Sequence, residues 1–228
     1  MLDNRETRDD ALASDSPVYR GPRVKICGIT TIEDGLAAAR LGIDYLGFVF
    51  FPPSPRYVEP EQAGRIVRAI REEMGDAAPC MMGVYVNLEP EAVADIRKTA
   101  GLDGSQICGN EPPEWMARIE PERFRAVSIE TLDRIGSYDC EAYICDAHDP
   151  KRYGGTGKAY DYAVLAPFIP KHRIMLAGGL TADTVGAVVA ELKPWGVDVS
   201  SALEASPGRK DTARMAAFVE SVRCVAEK

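Results

Sequence analysis

No stretch of this sequence approaches the roughly eighteen consecutive apolar residues that cross a bilayer, so no membrane-spanning helix is expected. Histidine is scarce, with only His148 and His172, and none of the six cysteines forms a C-x-x-C pair. A zinc cluster or dithiol redox motif is therefore not a reading the sequence supports, and no metal is expected. Positive charge is also short: 27 Lys and Arg stand against 35 Asp and Glu, for a formal net charge of -8. That balance argues against nucleic acid as a partner. The first residues lack a basic start followed by an apolar stretch, so a secretory signal is not expected and the chain reads as cytoplasmic, with free thiols. No G-x-G-x-x-G follows the first apolar run, which removes the dinucleotide fingerprint. The run Gly154-Gly155-Thr156-Gly157-Lys158 lacks the Walker spacing and reads instead as a glycine-hinged loop over a site.

What is present is an ordinary globular composition, 46% hydrophobic and 27% charged, in a chain of 228 residues. Residues 1–22 are polar and without apolar periodicity, and are expected to form a disordered or loosely packed extension. The domain is expected over residues 23–228. There, short apolar runs at 24–27, 45–50, 80–86, 104–108, 124–129, 142–146, 174–177 and 197–200 alternate with longer segments. Of these, 32–41, 60–74, 89–100, 183–192 and 211–226 carry apolar residues at helical spacing. Thr31 with Asp34 has capping-box spacing, and Thr181 is placed to cap the helix after it. The segments after the fourth, fifth and sixth runs are weaker helices. Eight strands each followed by a crossover predict a parallel sheet, and eight in roughly 200 residues suit a minimal single (β/α)8 TIM barrel. A doubly wound open sheet is the alternative.

In such a barrel the chemistry sits at the carboxyl ends of the strands. Those ends offer Cys27, the Pro-rich loop carrying Arg56, Asp146, the Ala177-Gly178-Gly179 turn and Ser200-Ser201. Strand alternation puts Cys27 with Lys25 on one face, and Asp146 with Ile144, so thiol and carboxyl can both point into the mouth. Each has a bland reading, Cys27 as a small packed hydrophobe and Asp146 as a loop anchor. The small-residue loops after strands seven and eight suit backbone binding of a phosphate, aided by a short helix expected to start at Ala202. Arg56 suits a carboxylate, or else solvent. A thiolate also needs a positive neighbour, and Lys25 is the nearest in sequence.

Six ordered motifs carry a resemblance: Lys25-Ile26-Cys27-Gly28-Ile29, Gly47-Phe48-Val49-Phe50 through Ser54-Pro55-Arg56-Tyr57-Val58, Gly83-Val84-Tyr85-Val86-Asn87, Gly154 through Lys158, Leu176-Ala177-Gly178-Gly179-Leu180, and Gly196-Val197-Asp198-Val199-Ser200-Ser201. On these the chain resembles the phosphoribosylanthranilate isomerase family of tryptophan biosynthesis. The resemblance implies a cytoplasmic isomerase, monomer or homodimer, that needs no cofactor and catalyses the third step from chorismate, an Amadori rearrangement of a small phosphorylated substrate. It implies Cys27 as general base, Asp146 as general acid and Arg56 as the anthranilate carboxylate's partner. It further implies Gly178, Gly179, Ser200 and Ser201 on the phosphate, with Asp198 and Gly155 near the substrate. The family's usual Gln-Leu-His-Gly is Gln106-Ile107-Cys108-Gly109 here, and Tyr160-Asp161-Tyr162 stands for Phe-Asp-Trp. Two other readings remain: a barrel isomerase acting on another phosphoribosyl compound, and a phosphate-binding barrel without activity.

Overall fold

A computed structural model describes residues 21–146 and 162–226. The expectation for the N-terminal extension falls almost wholly outside these residues, as does the glycine loop with Gly155. The eight expected strands form one closed parallel barrel, in sequence order, with β8 pairing back onto β1. They are β1 (Arg23–Cys27), β2 (Tyr45–Val49), β3 (Cys80–Tyr85), β4 (Gly104–Ile107), β5 (Arg123–Ser128), β6 (Ala142–Asp146), β7 (Ile174–Ala177) and β8 (Gly196–Val199). An open doubly wound sheet is thereby ruled out. Where observed and expected strand bounds differ, they do so by a single residue, the scale on which strand ends are ill-defined.

The long crossovers are helices for reasons visible in their residues. They are α1 (Ile32–Ala39), α2 (Pro60–Met74), α3 (Pro90–Ala100), the short α4 (Pro113–Met116), α5 (Ala182–Leu192) and α6 (Thr212–Ala226). Both α2 and α3 begin on proline, whose fixed φ and missing N–H suit a first turn. Helix α2 buries Ala63, Ile66, Val67 and Ile70 along one stripe. Helix α3 ends at Gly101 in the left-handed region, φ 66°, the usual glycine stop. Thr31 accepts the Asp34 N–H at 3.2 Å, so half the expected capping box forms. The Asp34 carboxylate is committed elsewhere, accepting the Lys210 N–H at 3.1 Å. Between β5 and β6, and between β6 and β7 among the described residues, the helical elements are only 3-10 turns, Ile129–Arg134 and Tyr162–Leu165, in keeping with the weak periodicity there.

One expectation fails. No α-helix starts at Ala202. Ser201–Leu203 is a single 3-10 turn, followed at once by a hairpin of β9 (Glu204–Ser206) and β10 (Arg209–Lys210). Pro207 and Gly208 turn it, Gly208 at φ 78°. Three residues are too few to build a helical turn with a useful dipole.

Alternation sorts the side chains as the barrel requires. Tyr45, Met82, Phe124, Ala142, Ile144, Met175 and Ala177 fill the barrel's inside. The intervening residues, such as Ile26, Leu46, Tyr143, Cys145 and Leu176, face the helices in the larger core. Above the inner layer, Cys27, Val49 and Val84 form a separate apolar patch, with Phe51 and Cys108 against it. Gly47 makes room for this patch: a Cβ there would lie 2.7 Å from Cys27 Sγ and 3.1 Å from the Cys27 Cα. Gly47→Ala should therefore cost about 1–3 kcal/mol by overpacking. Urea unfolding checks this, and an unchanged midpoint would show that Cys27 is free to move aside.

Candidate active site

The carboxyl ends of the strands converge on a mouth built from two halves. On the β8–β1–β2 side, Lys25 is fully buried, and its Nζ donates to Asp198 Oδ1 at 2.9 Å. Cys27 lies one pleat above Lys25 and is also buried. Ser200, just past β8, donates its hydroxyl to the Cys27 carbonyl at 3.0 Å. Gly28 lets the β2 loop close over this point: a Cβ there would lie 2.6 Å from Arg56 Cδ and 3.1 Å from Ser200 Oγ. Its φ of 80° is a second reason for glycine.

On the β4–β6 side, a cavity of about 370 Å³ is lined by Gln106, Cys108, Ser128, Asp146, Ala177 and Asp198, among others. Asp146 ends β6 with its side chain exposed. Asp198 belongs to both halves, bonded to Lys25 and facing the cavity that holds Asp146. Gln106 Nε2 donates to Cys108 Sγ at 3.2 Å. After β7, Gly178 and Gly179 adopt φ of 83° and 73°. Two consecutive left-handed residues call for glycine, and they leave that loop without side chains that would bar an anion. The Tyr162 hydroxyl donates to the Gly178 carbonyl and pins the turn.

The model of the N-(5′-phosphoribosyl)anthranilate (PRA) isomerase family matches residues 24–221. The chain belongs to this family. A PRA isomerase of Geobacter sulfurreducens is 42% identical over 204 residues, covering 88% of this chain and 98% of its own. Another, of Citrifermentans bemidjiense, is 40% identical over 207 residues, covering 90% and 98%. The crystal structure of the Thermotoga maritima PRA isomerase superposes with a TM-score of 0.79 at 34% identity, over 89% of this chain and 99% of that one. A PRA isomerase solved with reduced 1-(o-carboxyphenylamino)-1-deoxyribulose 5-phosphate gives 0.75 at 32% identity, over 89% and 99%.

The electrostatics of the site centre on the thiol. Burial pushes Cys27 above the ordinary thiol range. The Lys25 and Lys210 charges and a Lys25 hydrogen bond pull it back, while Asp198 pushes it further up. Burial alone would also lower Lys25, but the charges of Asp198 and then Cys27 overcome it and hold the ammonium above its usual value. Burial pushes Asp198 up as well, against the pull of Lys25, and the charge of Asp146 adds to that push. The hidden ammonium one pleat below the thiol is thus kept charged by its pairing with the Asp198 carboxylate. The Lys25 neighbour expected from sequence is present, and it pairs with Asp198. Burial pushes the Cys108 thiol up to about 12.

Arg56 differs from the expectation of an arginine open to substrate or solvent. Its Nε and Nη2 already donate to Glu204, at 2.7 and 2.8 Å. Glu204 and Lys210 were not found among the strand ends, because both come from the unexpected hairpin. The Pro207-Gly208 pair was the available signal for that turn.

Lys25→Met should move the rising limb of the kcat/KM–pH profile to higher pH. Each unit of thiol shift lowers the thiolate fraction near neutral pH about tenfold. A limb that stays in place would remove Lys25 from this part.

Proposed function

We propose that this chain is a phosphoribosylanthranilate isomerase. It converts N-(5-phosphoribosyl)anthranilate to 1-(2-carboxyphenylamino)-1-deoxyribulose 5-phosphate in tryptophan biosynthesis. The observation that carries this reading is a buried thiol beside a buried ammonium at the end of β1, with a carboxyl at the end of β6 facing the same mouth. Family membership over residues 24–221 supports the substrate.

In this reading Asp146 protonates the furanose ring oxygen. The C1–O bond breaks with its electrons going to oxygen, and the anilino nitrogen's lone pair forms the Schiff base. The Cys27 thiolate then takes the proton from C2, and the C2–H electrons flow to C1 and neutralise the iminium. The product is an enolamine. Moving its O2 proton to C1 gives the ketone, and a proton passing from Cys27 to Asp146 resets the pair. Atoms and electrons balance with no redox change, so the residues need only move protons.

Arg56 holds the anthranilate carboxylate. Gly178, Gly179, Ser200 and Ser201 receive the phosphate, a role supported by the bare glycine turn and by the position of both loops after β7 and β8. The family resemblance adds Gly155 to the substrate-binding residues of this reading. A net charge of -8 makes these local cations and amides the means by which a doubly anionic substrate approaches. The chain acts on a free small molecule as a cytoplasmic enzyme, monomer or homodimer. Free thiols at all six cysteines and the lack of any membrane-crossing helix among the described residues support that setting.

The direct test is loss of phosphoribosylanthranilate fluorescence on adding the protein. Asp146→Asn and Cys27→Ser should each lower kcat by about 10²–10⁴-fold while still binding a reduced product analogue. Near-normal turnover in either variant would remove that residue from the chemistry. Arg56→Ala should raise KM, and an unchanged KM would return Arg56 to a purely structural part.

A further inference from the structure

Glu204 and Lys210 take no part in the proton transfers, yet they are among the most constrained charged side chains in the molecule. Glu204 is 5% exposed at its side chain and Lys210 is 0% exposed. Lys210 Nζ donates to Glu204 Oε1 at 3.0 Å, to the Ser200 carbonyl at 3.1 Å and to Ser200 Oγ at 3.5 Å. Glu204 in turn takes Arg56 Nε and Nη2. A continuous chain of polar contacts therefore runs from the β8 loop, through the hairpin, to the β2 loop.

The hairpin itself is fixed at several points. Its backbone is held by Asp34 at the Lys210 N–H, 3.1 Å, and by Thr30 Oγ1 at the Gly208 carbonyl, 2.5 Å. Arg214 Nη1 donates to the Glu204 carbonyl at 2.6 Å. A Cβ on Gly208 would meet the Pro55 carbonyl at 3.0 Å, so the hairpin also lies directly against the loop that carries Arg56.

The way Arg56 is held is specific. A guanidinium has five N–H donors in a rigid fork. Glu204 takes the side edge, Nε and Nη2. Among the described residues the end edge, made by Nη1 and the second Nη2 proton, has no partner and can face a second carboxylate. Charge supports the same arrangement. Arg56 with Glu204 alone would be neutral towards an incoming anion. Lys210 restores one net positive charge to the cluster.

We propose that Glu204 and Lys210 are positioning residues for substrate recognition. They aim the open edge of Arg56 at the anthranilate carboxylate and tie it to the Ser200 loop, so that carboxylate and phosphate are read at one fixed separation. The proposal rests on the isomerase reading and deepens it.

The test compares two ligands: the reduced product analogue, and the same compound with phenylamine in place of the carboxyphenylamine. Binding of both is measured to the wild type, Glu204→Ala, Glu204→Gln, Arg56→Ala and the Arg56→Ala/Glu204→Ala double variant, with kcat and KM for each. Glu204→Ala should weaken the carboxylated ligand about tenfold or more while leaving the phenyl ligand within about twofold. KM should rise with kcat little changed, and Glu204→Gln, which keeps the shape without the charge, should fall between. In the Arg56→Ala background, removing Glu204 should add nothing. Equal losses for both ligands, or additive losses in the double variant, would overturn the proposal. Should Glu204→Ala fail to fold, the same ligand comparison on Glu204→Gln decides. A wild type that neither turns over phosphoribosylanthranilate nor binds either ligand would overturn the isomerase reading and this proposal with it. Wild-type turnover with indiscriminate losses would overturn this proposal alone.

Discussion

The contact on which the site depends is the 2.9 Å ion pair between Lys25 and Asp198 inside the barrel. A charged ammonium with no exposed surface is expensive, and removing one partner of such a pair typically costs about 3–5 kcal/mol. A stable protein has no need of it, since apolar residues would fill the same space as well or better. What it supplies is a fixed positive charge one pleat below Cys27. The closed parallel barrel makes this placement possible. Register pairs Lys25 with Asp198 across β1 and β8, and alternation then puts Cys27 above Lys25 on the same face.

The mouth combines opposite demands within a few residues. In the proposed reaction the thiol must lose a proton and the β6 carboxyl must give one up, in a protein with an excess of acidic groups. Three cations gather near the thiol. Lys25, Lys210 and Arg56 all lie on the β8–β1–β2 side, and each is matched to a carboxylate, Asp198 or Glu204. Asp146 stands on the other side, in a cavity lined also by Cys108, Arg134 and a buried Arg125 that pairs with Glu111 at 2.8 Å. Polarity on that side comes from Gln106, Ser128, the two arginines and the carboxylates Asp146 and Asp198.

Much of this architecture was legible in the residues alone. Apolar runs of four to seven residues separated by amphipathic stretches locate every barrel strand and the long helices, because period and burial are coupled directly. The facing of Cys27 and Asp146 follows from alternation, and so does the pairing of Lys25 with the thiol's side of the sheet. The hairpin after β8 was not legible in the same way. Its strands are three and two residues long, below the length at which alternation carries information. Small residues near Ala202 read as a helix start although the Pro207-Gly208 turn lies just beyond. Glu204 and Lys210 were missed as a consequence. That Arg56 has a partner was also invisible, since Glu204 is 148 residues away in sequence and only closure of the barrel brings them together.

The central claim is that Cys27, held beside the Lys25–Asp198 pair, removes the C2 proton as a thiolate. The most direct measurement is a pH titration of the Cys27 Cβ by ¹³C NMR in cysteine-labelled protein, set against the single-turnover rate with substrate deuterated at C2. The account predicts a deuterium-sensitive rate that rises with the same midpoint as ionisation of Cys27. Full-rate C2–H cleavage at a pH where Cys27 remains a thiol would contradict it.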